Sequence, residues 1–265
     1  MGKMDDPEKT DKTLTDDDQD ERNTKPKAAR YAEGIFCIVY LIFIAAIVVT
    51  AFWKYSITPT GLRHSKLRLK FSFAFFMGML LLIGDGFHLV PRIIVAFRGN
   101  MWKKNVFFGI GNILSSITMT FFYNLLLMMG DSIEYSGAEF NLVLETAIKI
   151  LTIIRVIIVL LPMNKWFSEE GSRTWAIIRN SVFSLIGILT VFGLCTVIRN
   201  AYMMPGEFYM SLILLAILSF VFYLPVAING KKNPKLGMLM MPKSICYMAM
   251  MSIIVFWPML LSYGW

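Results

Sequence analysis

The chain has 265 residues, 56% of them hydrophobic and 17% charged, with a formal net charge of +8. A soluble domain has typically about 45–50% apolar and about 25% charged residues, so this composition excludes an ordinary soluble enzyme and indicates a membrane protein. The charge averages two unlike regions: before Gly34 ten acids face seven bases, and after it eight acids face 19 bases.

Residues 1–33 are rich in Asp, Lys and Thr and nearly free of large apolar side chains, which predicts a disordered, charged tail on the cytoplasmic side. Because the first apolar run follows this hydrophilic stretch, no cleavable signal peptide is expected. The opening Met-Gly-Lys-Met-Asp-Asp also lacks the Ser or Thr of a myristoylation motif. Seven apolar stretches follow, at 34–53, 71–97, 105–129, 141–163, 174–198, 207–228 and 238–263. Each approaches or exceeds the roughly 20 helical residues that cross a hydrocarbon core. None alternates with period two, which predicts helices rather than a β-barrel. The expected fold is thus an all-α integral membrane protein, a seven-transmembrane-helix bundle over 34–265.

Seven spans put the termini on opposite sides. Eleven bases near the spans lie on the N-terminal side (Lys25, Lys27, Arg30, Arg98, Lys103, Lys104, Lys165, Arg173, Lys231, Lys232 and Lys235). Six lie on the other (Lys54, Arg63, Lys66, Arg68, Lys70 and Arg199). The positive-inside rule then makes the N-terminus cytoplasmic and the C-terminus external, in a multi-pass protein of the cell's plasma (inner) membrane. Bases confined to such loops are no nucleic-acid signature. Trp53, Trp102, Trp166, Trp175 and Trp265 fall at or near span ends, as interfacial anchors do. Cys37, Cys195 and Cys246 lie in apolar stretches and read as buried thiols.

Charged side chains inside a span cost about 2.5–3.5 kcal/mol or more at mid-bilayer, so those that persist need compensation. The second span carries Gly84-Asp85-Gly86-Phe87-His88-Leu89-Val90-Pro91-Arg92, whose spacings of three and four put Asp85, His88 and Arg92 on one helical face. The flanking glycines permit close approach of a neighbouring helix, and Pro91 frees the carbonyl of Phe87. An interhelical clamp is the structural alternative to a functional site here. With the orientation applied, Asn112, Ser115 and Ser116 of the third span fall at the same depth. So do Arg155 of the fourth, Arg179 and Asn180 of the fifth and Lys243 of the seventh. That layer holds four bases and His88 against the single acid Asp85, which predicts a cytoplasm-facing electropositive cavity for a phosphate or carboxylate. Snorkelling toward headgroups is the competing reading for Arg92, Arg179 and Lys243. Glu145 and Lys149 form a favoured i,i+4 pair and read as self-satisfied.

Nineteen methionines are not spaced with His or Cys as in a copper site and read as adaptable packing. Two histidines cannot make a three-His metal centre, and neither a phosphate-cradling glycine loop nor a nucleophile elbow is present. No cofactor or metal is expected.

Gly84-Asp85 after an apolar run, with Gly109-Ile110-Gly111-Asn112 and Phe122-Tyr123 in the third span, resembles the YhhN lysoplasmalogenase-like family over roughly two helices. That family hydrolyses the vinyl ether of lysoplasmalogens; it has eight spans and a second intramembrane aspartate, which the last three spans here lack. The blocks at 84–92, 116–123 and 237–243 resemble a family of uncharacterised Firmicutes polytopic membrane proteins, which implies no function. Seven spans with the N-terminus inside are similar to the alkaline ceramidase and progestin-adipoQ receptor superfamily, without its zinc-binding histidines. Microbial rhodopsins share the helix number and a seventh-helix lysine, but Lys243 lies early in its span and the orientation is inverted.

The leading expectation is a cavity that binds an anionic lipid headgroup or small anion. In a hydrolase, catalytic Asp85 and His88 would activate water. Arg92, Arg155, Arg179 and Lys243 would bind the anion, with Asn112, Ser115 and Ser116 orienting substrate. The alternatives are a proton-coupled transporter of a small anion and a structural or partner-binding membrane protein. The expected partners are membrane lipid and an anionic molecule, with no nucleic acid.

Overall fold

In the computed structural model the described residues are 27–61, 64–98, 104–134, 139–168, 171–199, 201–229 and 234–259. The acidic tail through residue 26, together with Lys25, Arg63, Trp102, Lys103, Lys231, Lys232 and Trp265, lies outside them. Among the described residues there are seven α-helices and no strand. They are α1 (Lys27–Ile57), α2 (Ser65–Arg98), α3 (Lys104–Glu134), α4 (Glu139–Leu160), α5 (Arg173–Arg199), α6 (Gly206–Asn229) and α7 (Met240–Phe256), with 3-10 turns at Pro162–Asn164 and Pro234–Leu239.

Six of these helices are long and apolar enough to cross a membrane, α4 being the exception. Its 22 residues include Glu145, Lys149 and Arg155, too many charges for composition alone to mark it as a span. The architecture is an all-helical bundle fitting a multi-pass membrane protein.

Several ends differ from expectation for local reasons. The first helix starts at Lys27, so 27–33 of the expected tail are helical. The last stops at Phe256 instead of running to 263, because Trp257 precedes Pro258 and takes an extended conformation (φ −66°, ψ 129°). Ahead of Pro162, Leu161 turns extended in the same way and ends α4.

Helix α3 is the most buried of the six and packs on α2, α4 and α5, while α7 packs against α1, α2 and α6 to close the ring. An aromatic core surrounds Tyr123, whose ring meets Phe122 and Phe183 edge-on and whose hydroxyl lies 2.7 Å from Ser219. Gly84 lets α2 lie against Thr118 and the backbone of Ser115. Gly111 lets α3 lie against the main chain of Phe87 and His88. By contrast, Gly86 faces open space and takes no part in this approach.

The bundle end away from Lys27 is closed by polar clamps. Glu134 is fully buried, and its carboxylate accepts the backbone N–H groups of Tyr202, Met203 and Met204 at 2.8, 2.8 and 2.9 Å and the Tyr209 hydroxyl at 2.9 Å. Lys54 donates to Val255 O at 3.0 Å and Lys70 to Trp257 O at 2.5 Å, satisfying carbonyls at the negative end of α7. Although its neighbours made it a loop base in the sequence, Lys70 is fully buried in α2. On the outside of α4, Lys149 and Glu145 pair at 3.0 Å. Cys37 and Cys246 are buried, but Cys195 is exposed on the bundle surface, contrary to expectation.

Candidate functional site

At the end where α1 begins, the helices part around a cavity of about 680 Å³. All ten residues placed at this depth from the sequence line it: Asp85, His88 and Arg92 of α2, Asn112, Ser115 and Ser116 of α3, Arg155 of α4, Arg179 and Asn180 of α5 and Lys243 of α7. The spacing within α2 spreads Asp85 to Arg92 over roughly 10 Å along the helix axis. The cavity therefore runs from Asp85 and Tyr247 inside the bundle to a mouth formed by the connection between α4 and α5, where Lys165, Ser168 and Gly171 line it.

Asp85 is 8% exposed, and its Oδ2 accepts the hydroxyl of Tyr40 from α1 at 2.5 Å. Ser115 turns its hydroxyl toward the same carboxylate. His88 faces Asn112, and its Nδ1 is buried without a protein partner. The bond observed at Asp85 thus comes from a tyrosine, not from the imidazole one turn away.

The basic side chains turn inward. Arg155 is 1% exposed; Nη1 donates to Arg179 O at 3.1 Å, the guanidinium lies 3.9 Å over the Phe183 ring, and Nε is buried without a partner. Arg179 donates to Asn164 Oδ1 at 3.0 Å and stacks 4.1 Å over Trp166. Lys243 sits 4.5 Å over Tyr223 and 5.5 Å over Tyr247. An aromatic face under each cation partly offsets its desolvation without supplying negative charge. Among the described cations of the cavity, Arg92 comes within ion-pair distance of a carboxylate, Glu33 Oε1 at 4.0 Å across two partly exposed side chains, and Lys243 lies within electrostatic reach of Asp85. That corrects the sequence-based charge count: the early start of α1 carries Glu33 onto the rim beside α2.

Sequence reasoning missed four contributors. Tyr40 is a lone hydroxyl in an apolar helix, a pattern that ordinarily means core packing. Asn164 and Trp166 lie in a connection. The Asn164 amide donates to the carbonyls of Ile158, Val159 and Leu161, and Trp166 Nε1 donates to Val159 O at 2.8 Å. Trp166 therefore caps α4 and shelves Arg179, where an interfacial anchor was expected. Tyr223 of α6 donates to Asn180 Oδ1 at 2.8 Å beside Arg155.

Among the described lining residues, Arg92, Arg155, Lys165, Arg173, Arg179 and Lys243 face the single acid Asp85. Glu169 and Glu170, between Ser168 and Gly171 in sequence, lie outside the described residues. No group of three or more His, Cys, Asp or Glu that could hold a metal gathers among the described residues. The arrangement can hold an anion with charge-assisted hydrogen bonds in a space partly screened from water. Comparison of the chain with protein-family models and with curated proteins finds no match.

Proposed function

We propose that this protein binds an anionic lipid headgroup or small anion in the cavity between α2, α3, α4, α5 and α7. The observation that carries this reading is Arg155: a 1%-exposed guanidinium whose Nε bonds nothing in the protein, in a cavity with one acid among its described lining residues. A buried cation without negative compensation is costly, and an anion placed between Arg155 and Lys243 removes that cost.

The proposal includes seven membrane spans. Helix α4 exposes Leu142, Ile153, Ile157 and Leu160, the same outward apolar face that its neighbours present, while Arg155 points inward. It also places the N-terminus and the cavity mouth in the cytoplasm of a plasma-membrane protein. Four of the six bases on the opposite side support this placement by being held within the protein. Lys54 and Lys70 hold α7, Lys66 donates to Ser132 O, and Arg68 stacks on Tyr55. They therefore weigh less than free bases in the charge balance.

A second reading, hydrolysis of the bound lipid, is favoured by the buried, unpartnered Nδ1 of His88 on the cavity wall. Once a side-chain movement brings a water to that nitrogen, the imidazole can serve as a general base, with Asp85 held in place by Tyr40.

Native mass spectrometry of the full chain purified with lipid extract tests the binding reading. An anionic species should accompany the wild type and fall at least tenfold in Lys243→Gln and in Arg155→Lys, with thermal unfolding checking that each variant folds. No bound anion in any of the proteins would overturn it. Loss of lipid turnover in His88→Ala with binding retained would support the hydrolytic reading; absence of turnover in the wild type would reject it.

A further inference from the structure

A lipid headgroup and an anion dissolved in water differ in how they can reach the cavity. Four of its lining residues are exposed: Asn105 at the start of α3, Lys165 and Ser168 in the connection after α4, and Arg173 at the start of α5. All four are polar, and all lie at the bundle end where α1 begins. None of the exposed large apolar side chains among the described residues lines the cavity. Ile177 and Ile178 follow Ala176, and Ile245 follows Ser244, yet these isoleucines are exposed on the outside while Ala176 and Ser244 line the cavity.

At the inner end, Tyr247 meets the Phe122 ring and the Tyr123 hydroxyl, and all three belong to the buried core. A ligand therefore passes the polar mouth. A lipid held by acyl chains would have to draw them out of hydrocarbon across that rim, at a cost that grows with every methylene; a molecule dissolved in water bears no such cost. The cavity of about 680 Å³ falls within the roughly 300–1,000 Å³ of sites that enclose an organic ligand, more than a bare inorganic ion fills. Beside Arg155 and Lys243, its walls carry the hydroxyls of Ser116 on α3 and Ser244 on α7, which can donate to or accept from the neutral groups of such a ligand.

We infer that the ligand is a water-soluble organic anion of metabolite size, which enters along the bundle axis through the mouth at Asn105, Lys165, Ser168 and Arg173 and leaves no fatty chain in the bilayer. This rests on the anion-binding reading and selects the water-borne of its two sources. The selection lies in the polarity and position of the rim residues, so it holds whatever the valence of the anion.

The test uses the full chain in lipid nanodiscs, with Cys195→Ser removing the exposed native thiol and Ser116→Cys placing a thiol on the cavity wall. Two water-soluble methanethiosulfonates of similar size, one a sulfonate and one a quaternary ammonium, are applied in separate runs, and intact mass reports the mixed disulfide. Ser168→Cys, exposed at the mouth, gives the rate of free access in each bilayer. In phosphatidylcholine the sulfonate, itself a water-borne organic anion, should modify Ser116→Cys at least tenfold faster than the ammonium reagent, because an electropositive cavity concentrates it. Adding phosphatidic acid to the bilayer should leave the Ser116→Cys rate unchanged relative to Ser168→Cys. Resistance of Ser116→Cys to both reagents while Ser168→Cys reacts overturns the inference. Protection by phosphatidic acid also overturns it, and leaves anion binding intact with a lipid as its source. Equal rates with the two reagents overturn the anion-binding reading and the inference with it. Ser244→Cys repeats the measurement from α7 and covers a failure of Ser116→Cys to fold.

Discussion

The hydroxyl of Tyr40 in α1 donates to Asp85 in α2 at 2.5 Å, and both side chains are buried. One helix thereby orients the only carboxylate among the cavity's described lining residues from outside the cavity, since Tyr40 itself does not line it. Tyr40→Phe keeps the ring and removes the donor, leaving a buried acceptor short of a partner. The expected loss is about 1–3 kcal/mol, read as a lower unfolding midpoint in detergent. Asp85→Asn retains a carbonyl acceptor for Tyr40 but removes the one acid among the described lining residues, so it should also lower the midpoint. Equal stability of Tyr40→Phe and the wild type would show that the bond contributes nothing.

Two glycines close to each other in the fold make a controlled pair. A methyl at Gly111 would meet Phe87 O at 2.5 Å and His88 Cα at 2.8 Å, both backbone atoms that cannot turn aside. Gly111→Ala should force α2 and α3 apart and cost about 1–3 kcal/mol or more, with ligand binding weakened because His88 and Asn112 flank the contact. Gly86→Ala meets nothing within 4 Å and removes a helix-interior glycine, so stability should hold or rise by up to about 1 kcal/mol. Thermal unfolding of both variants decides it; equal losses would contradict the close approach.

The helical periodicity of α2 made the line of Asp85, His88 and Arg92 legible, and span counting put residues of five helices at one depth. Connections and partners were not legible. Tyr40 looks like any aromatic in an apolar run, and nothing local ties it to a residue 45 positions away. Lys70 belongs by its neighbours to a basic loop, yet helix α2 begins at Ser65 and takes it inside. Between Gly84 and Gly86, only the facing helix decides which glycine is used. Hydropathy likewise could not place the end of α7, which the residue before Pro258 determines.

The buried carboxylate of Glu134 offers a test remote from the cavity. Its four donors make it an anchor for residues 202–204 and for Tyr209. Glu134→Gln removes the charge and turns one oxygen into a donor that faces other donors. A loss of about 2–3 kcal/mol is expected, hydrogen bonds to charged groups being worth roughly 1.5–3 kcal/mol each. Anion binding measured below the unfolding midpoint should not change. A variant that folds normally but loses binding would show that the two ends of the bundle are coupled.

Asn164 joins the stability of the fold to the geometry of the cavity. Its side chain is 2% exposed; the amide nitrogen donates to Ile158, Val159 and Leu161, and the oxygen receives Arg179 at 3.0 Å. Asn164→Ala strips the carbonyls at the end of α4 of these partners and frees Arg179. The structural cost should be about 1–3 kcal/mol, the penalty for leaving buried acceptors unsatisfied. Asn164→Asp separates the two roles: it keeps an acceptor for Arg179, strengthened by charge, while facing the three carbonyls without donors. Both variants should therefore unfold earlier than the wild type. Ligand affinity should fall in both for opposite reasons, Arg179 being loosened in Ala and neutralised in Asp, and the Asp effect should persist at raised salt because the pair is buried. Unchanged affinity in Asn164→Asp would remove Arg179 from the anion site and leave it a clamp between α5 and the connection before it.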